Sequence, residues 1–188
     1  MKPKNSESFK VQVKEIVSKI YEFGGYSEII DGFLYYRLSK PELFLNWLVL
    51  GDYLLHGSTK AINENLKPYQ AIDKIKESGN KKAIYITKIP AVAMFCAITG
   101  GVDGLLRRHL SHTRMENGKI QYKNMYFAVN DMNKVAENGY IYIIAKRDIN
   151  EEINDEYLSY EEVTPLAVIK ILGNDFTFNI DRFNKNDN

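Results

Sequence analysis

One cysteine in 188 residues, Cys96, rules out an intramolecular disulfide and any multi-cysteine zinc site. It stands inside the apolar run "AVAMFCAI", which marks it as a buried core thiol. Net charge is almost lacking too: 25 Lys and Arg against 24 Asp and Glu leave +1, so the chain as a whole exerts no general attraction on nucleic acid. Local clusters such as Arg107, Arg108 and Arg114 remain able to contact phosphates. No uninterrupted apolar run reaches membrane-spanning length, so no membrane partner is expected. The opening "MKPKNSESFK" lacks the apolar segment and small residues of a secretory signal, which makes the cytoplasm the expected location. The phosphate loop, the dinucleotide fingerprint, the nucleophile elbow and paired histidines at helical metal spacing are missing as well. The glycines of "TGGVDG" come nearest to a phosphate loop. Without its lysine and preceding strand they read as a flexible connection.

What is present is a globular composition, 45% apolar and 26% charged, in a chain of the size of one domain, or one domain with a helical extension. Residues 8–23 place Phe9, Val11, Val13, Ile16, Ile20 and Tyr21 mainly at three- and four-residue spacings, which predicts an amphipathic helix. The apolar segment from 28 onward contains Pro41 at a position suited to the first turn of a helix capped by Ser39. "YLLHG" reads as a short buried strand ending in a turn, "KPYQAIDKIKESGNKK" as polar and partly helical, and "AIYIT" as a second strand. "PAVAMFCAITGGVDGLLRRHL" reads as an apolar helix from Pro90, broken at "TGG" and resumed through Leu106. Thereafter "IQYKNMYFAV", "GYIYIIAKR", "EYLSY", "PLAVIKIL" and "FTFNI" are short β-branched or aromatic runs, and the tail "NKNDN" is expected to be disordered. A helical front and a strand-rich back predict an α+β fold.

Three stretches taken together, "LLHGST", "AIYIT" and "DEYLSYEEVTPLAVIKIL", resemble the His-Tyr-Glu signature of the ADP-ribosyltransferase superfamily, in its poly-ADP-ribose polymerase and diphtheria-toxin-like branch. The resemblance spans roughly residues 52 to 180, and its specificity lies in the order and spacing of the three motifs. It implies an NAD site without a metal. His56 would hold an adenosine ribose hydroxyl, the Gly57 backbone would pair with the nicotinamide amide, and Ser58 would complete the motif. Tyr85 would stack on the nicotinamide, where an aromatic face attracts a cationic ring. Glu156 would be the catalytic carboxylate, with Glu161 and Glu162 as competitors. A carboxylate suits the role because cleavage of the nicotinamide–ribose bond builds positive charge on the sugar, which a hydrogen-bonded anion orients and stabilises. Where the family often carries a serine and a second stacking tyrosine, about ten residues beyond the first tyrosine, this chain has Ala93, Phe95 and Cys96. Phe95 is the candidate second ring.

The fold so implied is a split β-sandwich: two small antiparallel sheets facing one another, NAD in the cleft between them and helices outside. Residues 51–182 would form this NAD-binding domain and residues 1–50 a helical N-terminal extension. The implied activity is a glycosyltransferase one, transfer of ADP-ribose from NAD to a protein or nucleic-acid acceptor with release of nicotinamide. Two alternatives stay open. One is an NAD-dependent RNA 2′-phosphotransferase, for which Arg107, Arg108, His109, His112 and Arg114 are phosphate-gripping candidates, several on one side if "RRHLSHTR" is helical. The other is an inactive domain that keeps the fold and serves as a binding module.

Overall fold

A computed structural model describes residues 6–70, 81–116, 119–149, 151–153 and 156–184. Helix α1 (Glu7–Glu22) follows the predicted amphipathic pattern, burying Ile16 and Ile20. The Ser6 hydroxyl accepts from the Phe9 amide at 3.3 Å and satisfies one of the first-turn donors. Gly24, at φ +73°, ends the helix in the left-handed conformation that a side chain resists.

The helical reading of residues 1–50 fails between the two helices of that segment. Strands β1 (Tyr26–Ile30) and β2 (Phe33–Arg37) form an antiparallel hairpin instead. Its turn is Asp31-Gly32, both at positive φ (51° and 79°), the backbone shape that lets a two-residue turn match the twist of its strands. Helix α2 (Pro41–Leu50) starts at Pro41 as expected, but Lys40 rather than Ser39 is the capping residue, and no side chain bonds the first turn.

Strands β3 (Tyr53–Ser58), β4 (Tyr69–Gln70) and β5 (Lys82–Thr87) come next. The helix expected within 67–82 gives way to β4 at its start, and positions 71–80 of that reading lie outside the described residues. Helix α3 (Pro90–Thr99) stops at the "TGG" break and does not resume. In place of the resumed helix, β6 (Arg107–Glu116) pairs with β7 (Lys119–Val129). The remaining strands are β8 (Asn138–Ala145), β9 (Glu151–Ile153), β10 (Glu156–Ser159), β11 (Ala167–Leu172) and β12 (Asp181–Arg182). "FTFNI" is not a strand: Phe176 and Phe178 turn into an aromatic cluster with Phe95 and Phe127. The expected disorder at 185–188 lies outside the described residues.

The architecture among the described residues is α+β, with three α-helices and two open sheets. The larger sheet runs β1-β2-β11-β8-β3-β5-β10-β9, with β4 added on β5; the smaller runs β12-β7-β6. One face of the large sheet carries Tyr36, Leu55, Ile141, Ile143, Ile169 and Ile171 against the helices. The other carries Leu54, Ile84, Ile86, Tyr142, Ile144 and Tyr157 under Leu66 and Val163, which bridge two covering loops.

Helix α3 has no polar face, and nine of its ten residues are buried. Such a helix is stable only between layers, and α3 has an apolar layer on both sides. Ala93 and Ala97 face β3 and β8 at Gly57 and Gly139, while Phe95, on the opposite side, meets Phe127 of the small sheet at 5.0 Å between ring centroids. The expected arrangement had its helices outside; α3 instead lies between strands of the two sheets. Close approach requires both glycines. A Cβ at Gly57 would stand 2.1 Å from the Ala93 carbonyl oxygen, and one at Gly139 would stand 1.8 Å from that of Ala97. Gly139→Ala should therefore lower stability by about 2 to 3 kcal/mol, since backbone on both sides has nowhere to move. Urea denaturation of the purified variant measures this, and an unchanged midpoint would disprove the close contact.

Candidate functional site

The three motif strands are neighbours. β3 pairs with β8 along all six of its residues but with β5 at one bridge, Leu55↔Thr87. β5 then pairs with β10 from Ile84 to Thr87, which sets Glu156 opposite Thr87 and Leu158 opposite Tyr85. Paired residues share a face and successive residues along a strand alternate between faces, so Gly57, Tyr85 and Glu156 project toward the helix side of the sheet. His56 belongs by the same alternation to the opposite face, with Leu54 and Ser58.

His56 is 8% exposed, and its ring lies 5.9 Å from that of Tyr142. Past the Leu55↔Thr87 bridge its Nδ1 lies 2.7 Å from the Tyr85 carbonyl oxygen. A carbonyl only accepts, so Nδ1 carries the proton and donates, and the imidazole does for β5 what a β3 amide would do in a closed ladder. Burial pushes the His56 pKa below its ordinary 6.5, the hydrogen bond to Tyr85 resists this, and the positive charge of Arg107 adds to it. The ring is thus neutral near pH 7, with Nε2 carrying the lone pair. Fully buried Tyr142 supports the neighbouring loop: its hydroxyl donates to the Lys60 carbonyl at 2.9 Å and accepts from the Ile62 amide. The Ser58 hydroxyl accepts from the Lys60 amide at 3.1 Å, so it fixes the turn after β3.

Tyr85 is anchored by its hydroxyl, which donates to the Lys81 carbonyl at 2.9 Å and accepts from the Lys81 amide at 3.1 Å. Its pKa is raised, chiefly by burial; the Lys81 backbone opposes, and the charges of Tyr69, Glu156 and Tyr160 add to the rise. The ring next to it belongs to Tyr69 of β4, 6.1 Å away between centroids. Phe95 does not join them. It is fully buried among Phe127, Phe176 and His109, so the expectation of a second stacking ring at Phe95 is corrected: its place on the far side of α3 commits it to the core. Cys96, expected as a core thiol, is only partly buried, because it lies on the flank of α3 nearer Gly57 and Tyr69.

Of the three glutamates, Glu156 alone shares a strand face with Tyr85. Glu161 and Glu162 lie exposed in the turn after β10, where Glu162 accepts from the Asn65 side chain at 3.3 Å. The five basic residues of "RRHLSHTR" do not converge either. As a strand, β6 sends Arg107 and His109 to the side of Phe127 and sends Arg108 to the other side, where its guanidinium stacks on Phe183 at 4.3 Å. The one-sided helical arrangement is overturned by the β6–β7 pairing.

Two residues that the motifs did not point to complete the neighbourhood. The Arg107 side chain is hydrogen-bonded to Tyr69, whose pKa burial raises and whose contact with Arg107 pulls it back down. Both residues stand on elements that read as helix in the sequence, so local pattern concealed that they meet and that Tyr69 lies beside Tyr85. Two surface hollows, of about 340 and 640 Å³, lie elsewhere: the first between α1, β2, the loop at 62–64 and residues 164–168 of the third motif, the second between α1, the end of α2 and residues 51–53, and neither is lined by His56, Gly57, Ser58, Tyr85, Phe95 or Glu156.

The His56 shift has a defined consequence for stability. The unfolded chain takes up a proton near pH 6.5 while the folded chain resists it, so the unfolded state binds more protons below that pH. Stability should be level above about pH 6.5 and fall as the pH drops toward the depressed folded value. His56→Asn, which keeps a donor at the δ position, should remove this part of the slope in urea melts collected across that range.

No known protein family, characterised protein or solved structure matches the chain.

Proposed function

We propose that the chain is an NAD-dependent ADP-ribosyltransferase of the His-Tyr-Glu type, on a variant of that superfamily's split β-sandwich in which α3 lies between the sheets. The observation that supports it best is the adjacency of β3, β5 and β10, which carry motifs separated by about 30 and 70 residues of sequence. Neighbouring strands set Gly57, Tyr85 and Glu156 on one face, and the ladder between the first two strands is open where His56 stands.

In this reading NAD is the substrate. Neutral His56 accepts a hydrogen bond from an adenosine ribose hydroxyl at Nε2, because Nδ1 is committed to Tyr85. The nicotinamide amide pairs with the Gly57 backbone, and its ring lies against Tyr85. Tyr69 takes the part of the second ring. The Glu156 carboxylate accepts from the nicotinamide-ribose hydroxyl and stabilises the cationic sugar as its bond to nicotinamide breaks. The bonding pair leaves on the nicotinamide nitrogen. An acceptor nucleophile on a protein or nucleic acid then bonds to the ribose carbon and gives up its proton, with Glu156 positioned to take it. Helix packing already occupies the space over Gly57 on its Cβ side, so the ligand must meet that residue along the strand edge facing β5.

Nicotinamide release from NAD by the purified protein is the test, with NAD binding followed by calorimetry on the same samples. Wild type should release nicotinamide. Glu156→Gln should lower the rate by about a hundredfold or more while retaining NAD binding, as expected for loss of a group acting mainly in the transition state. His56→Ala should lose binding. NAD binding without release, whatever acceptor is supplied, would favour the inactive binding module, and no binding at all would sink the NAD reading.

A further inference from the structure

The side of the small sheet turned away from the core has its own composition. On the β6–β7 ladder Phe127 points inward to the aromatic cluster, and Tyr122 does the same, its hydroxyl donating to Asn46 of α2 at 2.9 Å. Their cross-strand partners His109 and Thr113 share that side. The outer side therefore takes Arg108, Leu110, His112 and Arg114 from β6, with Tyr126, Lys123 and Gln121 opposite the last three. A bulge at Asn124, at φ +52°, inserts one residue into β7, and this is what lets Tyr126 and Lys123 face the same way. Leu110 and Tyr126 are 51% and 40% exposed, and the Arg114 and Lys123 side chains 68% and 51%.

The charges of this face are arranged around that apolar pair. Arg108 lies on one side of Leu110 along β6, stacked over the Phe183 ring at 4.3 Å, and His112 and Arg114 lie on the other. The carboxylates are Glu116, 3.4 Å from both Arg114 and Lys123, and Asp181 on β12 at the margin, opposite Ala128. One anion shared by two cations leaves a positive excess and holds both on the surface. Side chains at alternate positions of a strand stand about 6.8 Å apart, a repeat close to that of the phosphates in an extended single strand. Such a strand also turns its bases outward, and bases stack on exposed aromatic rings, whereas a duplex keeps its base faces covered. An acidic protein surface matches the cations but leaves the ring between them without a role.

We infer that the outer face of the β6–β7 hairpin binds single-stranded nucleic acid, a base stacking on Tyr126 beside Leu110 while Arg108, Arg114 and Lys123 contact phosphates. RNA and DNA are bound alike, because phosphates and base faces are common to both. The surface lies on the side of the small sheet opposite Phe127 and α3, so it stands apart from the NAD reading of the three motif strands. It also gives the cations of "RRHLSHTR" two separate places, with Arg107 turned inward toward Tyr69 and Arg108 and Arg114 turned outward.

Fluorescence anisotropy of labelled oligouridylate, oligothymidylate and a DNA duplex, titrated with the full chain at stepped salt concentrations and without NAD, tests it. Wild type should bind the two single strands with similar affinity and the duplex about tenfold more weakly. Three phosphate contacts predict a slope of about −2 for the logarithm of the binding constant against that of salt, and Arg114→Ala or Lys123→Ala should weaken binding severalfold and flatten the slope by about 0.7. Tyr126→Leu should weaken binding by about tenfold and leave the slope unchanged. Lys67→Ala removes an exposed cation beside Leu66, on the loop over the far face of the large sheet, and should change nothing. Absence of wild-type binding at low salt overturns the assignment, as does an equal loss in Arg114→Ala and Lys67→Ala, which would reduce the effect to bulk charge. Full binding by Tyr126→Leu, or polyglutamate competing as well as the oligonucleotides, also overturns it, the latter in favour of an acidic protein partner. Nicotinamide release bears on none of these outcomes, so the transferase reading stands or falls separately.

Discussion

The backbone of α3 rests directly on two bare positions of the large sheet, and much of the molecule depends on that contact. Gly57 and Gly139 sit on adjacent strands, and each meets a main-chain atom of the helix at a distance that admits no side chain. With the helix so close, Phe95 reaches outward into the cluster of Phe127, Phe176 and Phe178, which joins the small sheet to the helix layer. The same docking sets Gly100 on Thr59 and so determines where β6 and Arg107 begin. Packing and candidate site are therefore one construction. The glycine that the motif reading assigns to nicotinamide is also the glycine that the fold requires.

The second constraint is the gap in the sheet between β3 and β5. An open ladder leaves strand carbonyls in need of donors, and an unpaired buried carbonyl is costly. His56 supplies one from its side chain. The cost of burying an imidazole is kept down by leaving it neutral, and the hydrogen bond selects the tautomer. In consequence the hydrogen-bonding capacity left to the buried ring is that of an acceptor. Tyr85 is restrained by the same economy, its hydroxyl closed onto the Lys81 backbone while its face stays beside Tyr69.

Around these residues the charges are set apart along the sheet. Glu156 stands at one end, on the strand after Tyr85 in the sheet order. Arg107 and Lys60 stand by the Gly100–Gly101 turn beyond Tyr69. No helix among the described residues is long and apolar enough to cross a membrane.

By itself the sequence determined what depends on neighbours in the chain. The amphipathic spacing of Ile16 and Ile20 made α1 legible, Pro41 and Pro90 marked two helix starts, and the β-branched runs announced β3, β5, β8 and β11. The Asp31-Gly32 turn was equally local, and its hairpin was readable but obscured by the apolar density around it. The order of the three motifs and the α+β class were likewise in the sequence. Only the tertiary structure decided which side of a helix faces what, and that removed Phe95 from the site and brought in Tyr69. It also turned "RRHLSHTR" into a strand, because pairing with β7 across the chain outweighs the local pattern. Strand adjacency, the open ladder at His56 and the approach of Arg107 are long-range relations whose energy comes from burial and pairing of distant segments. Residue spacing along the chain carries no record of them.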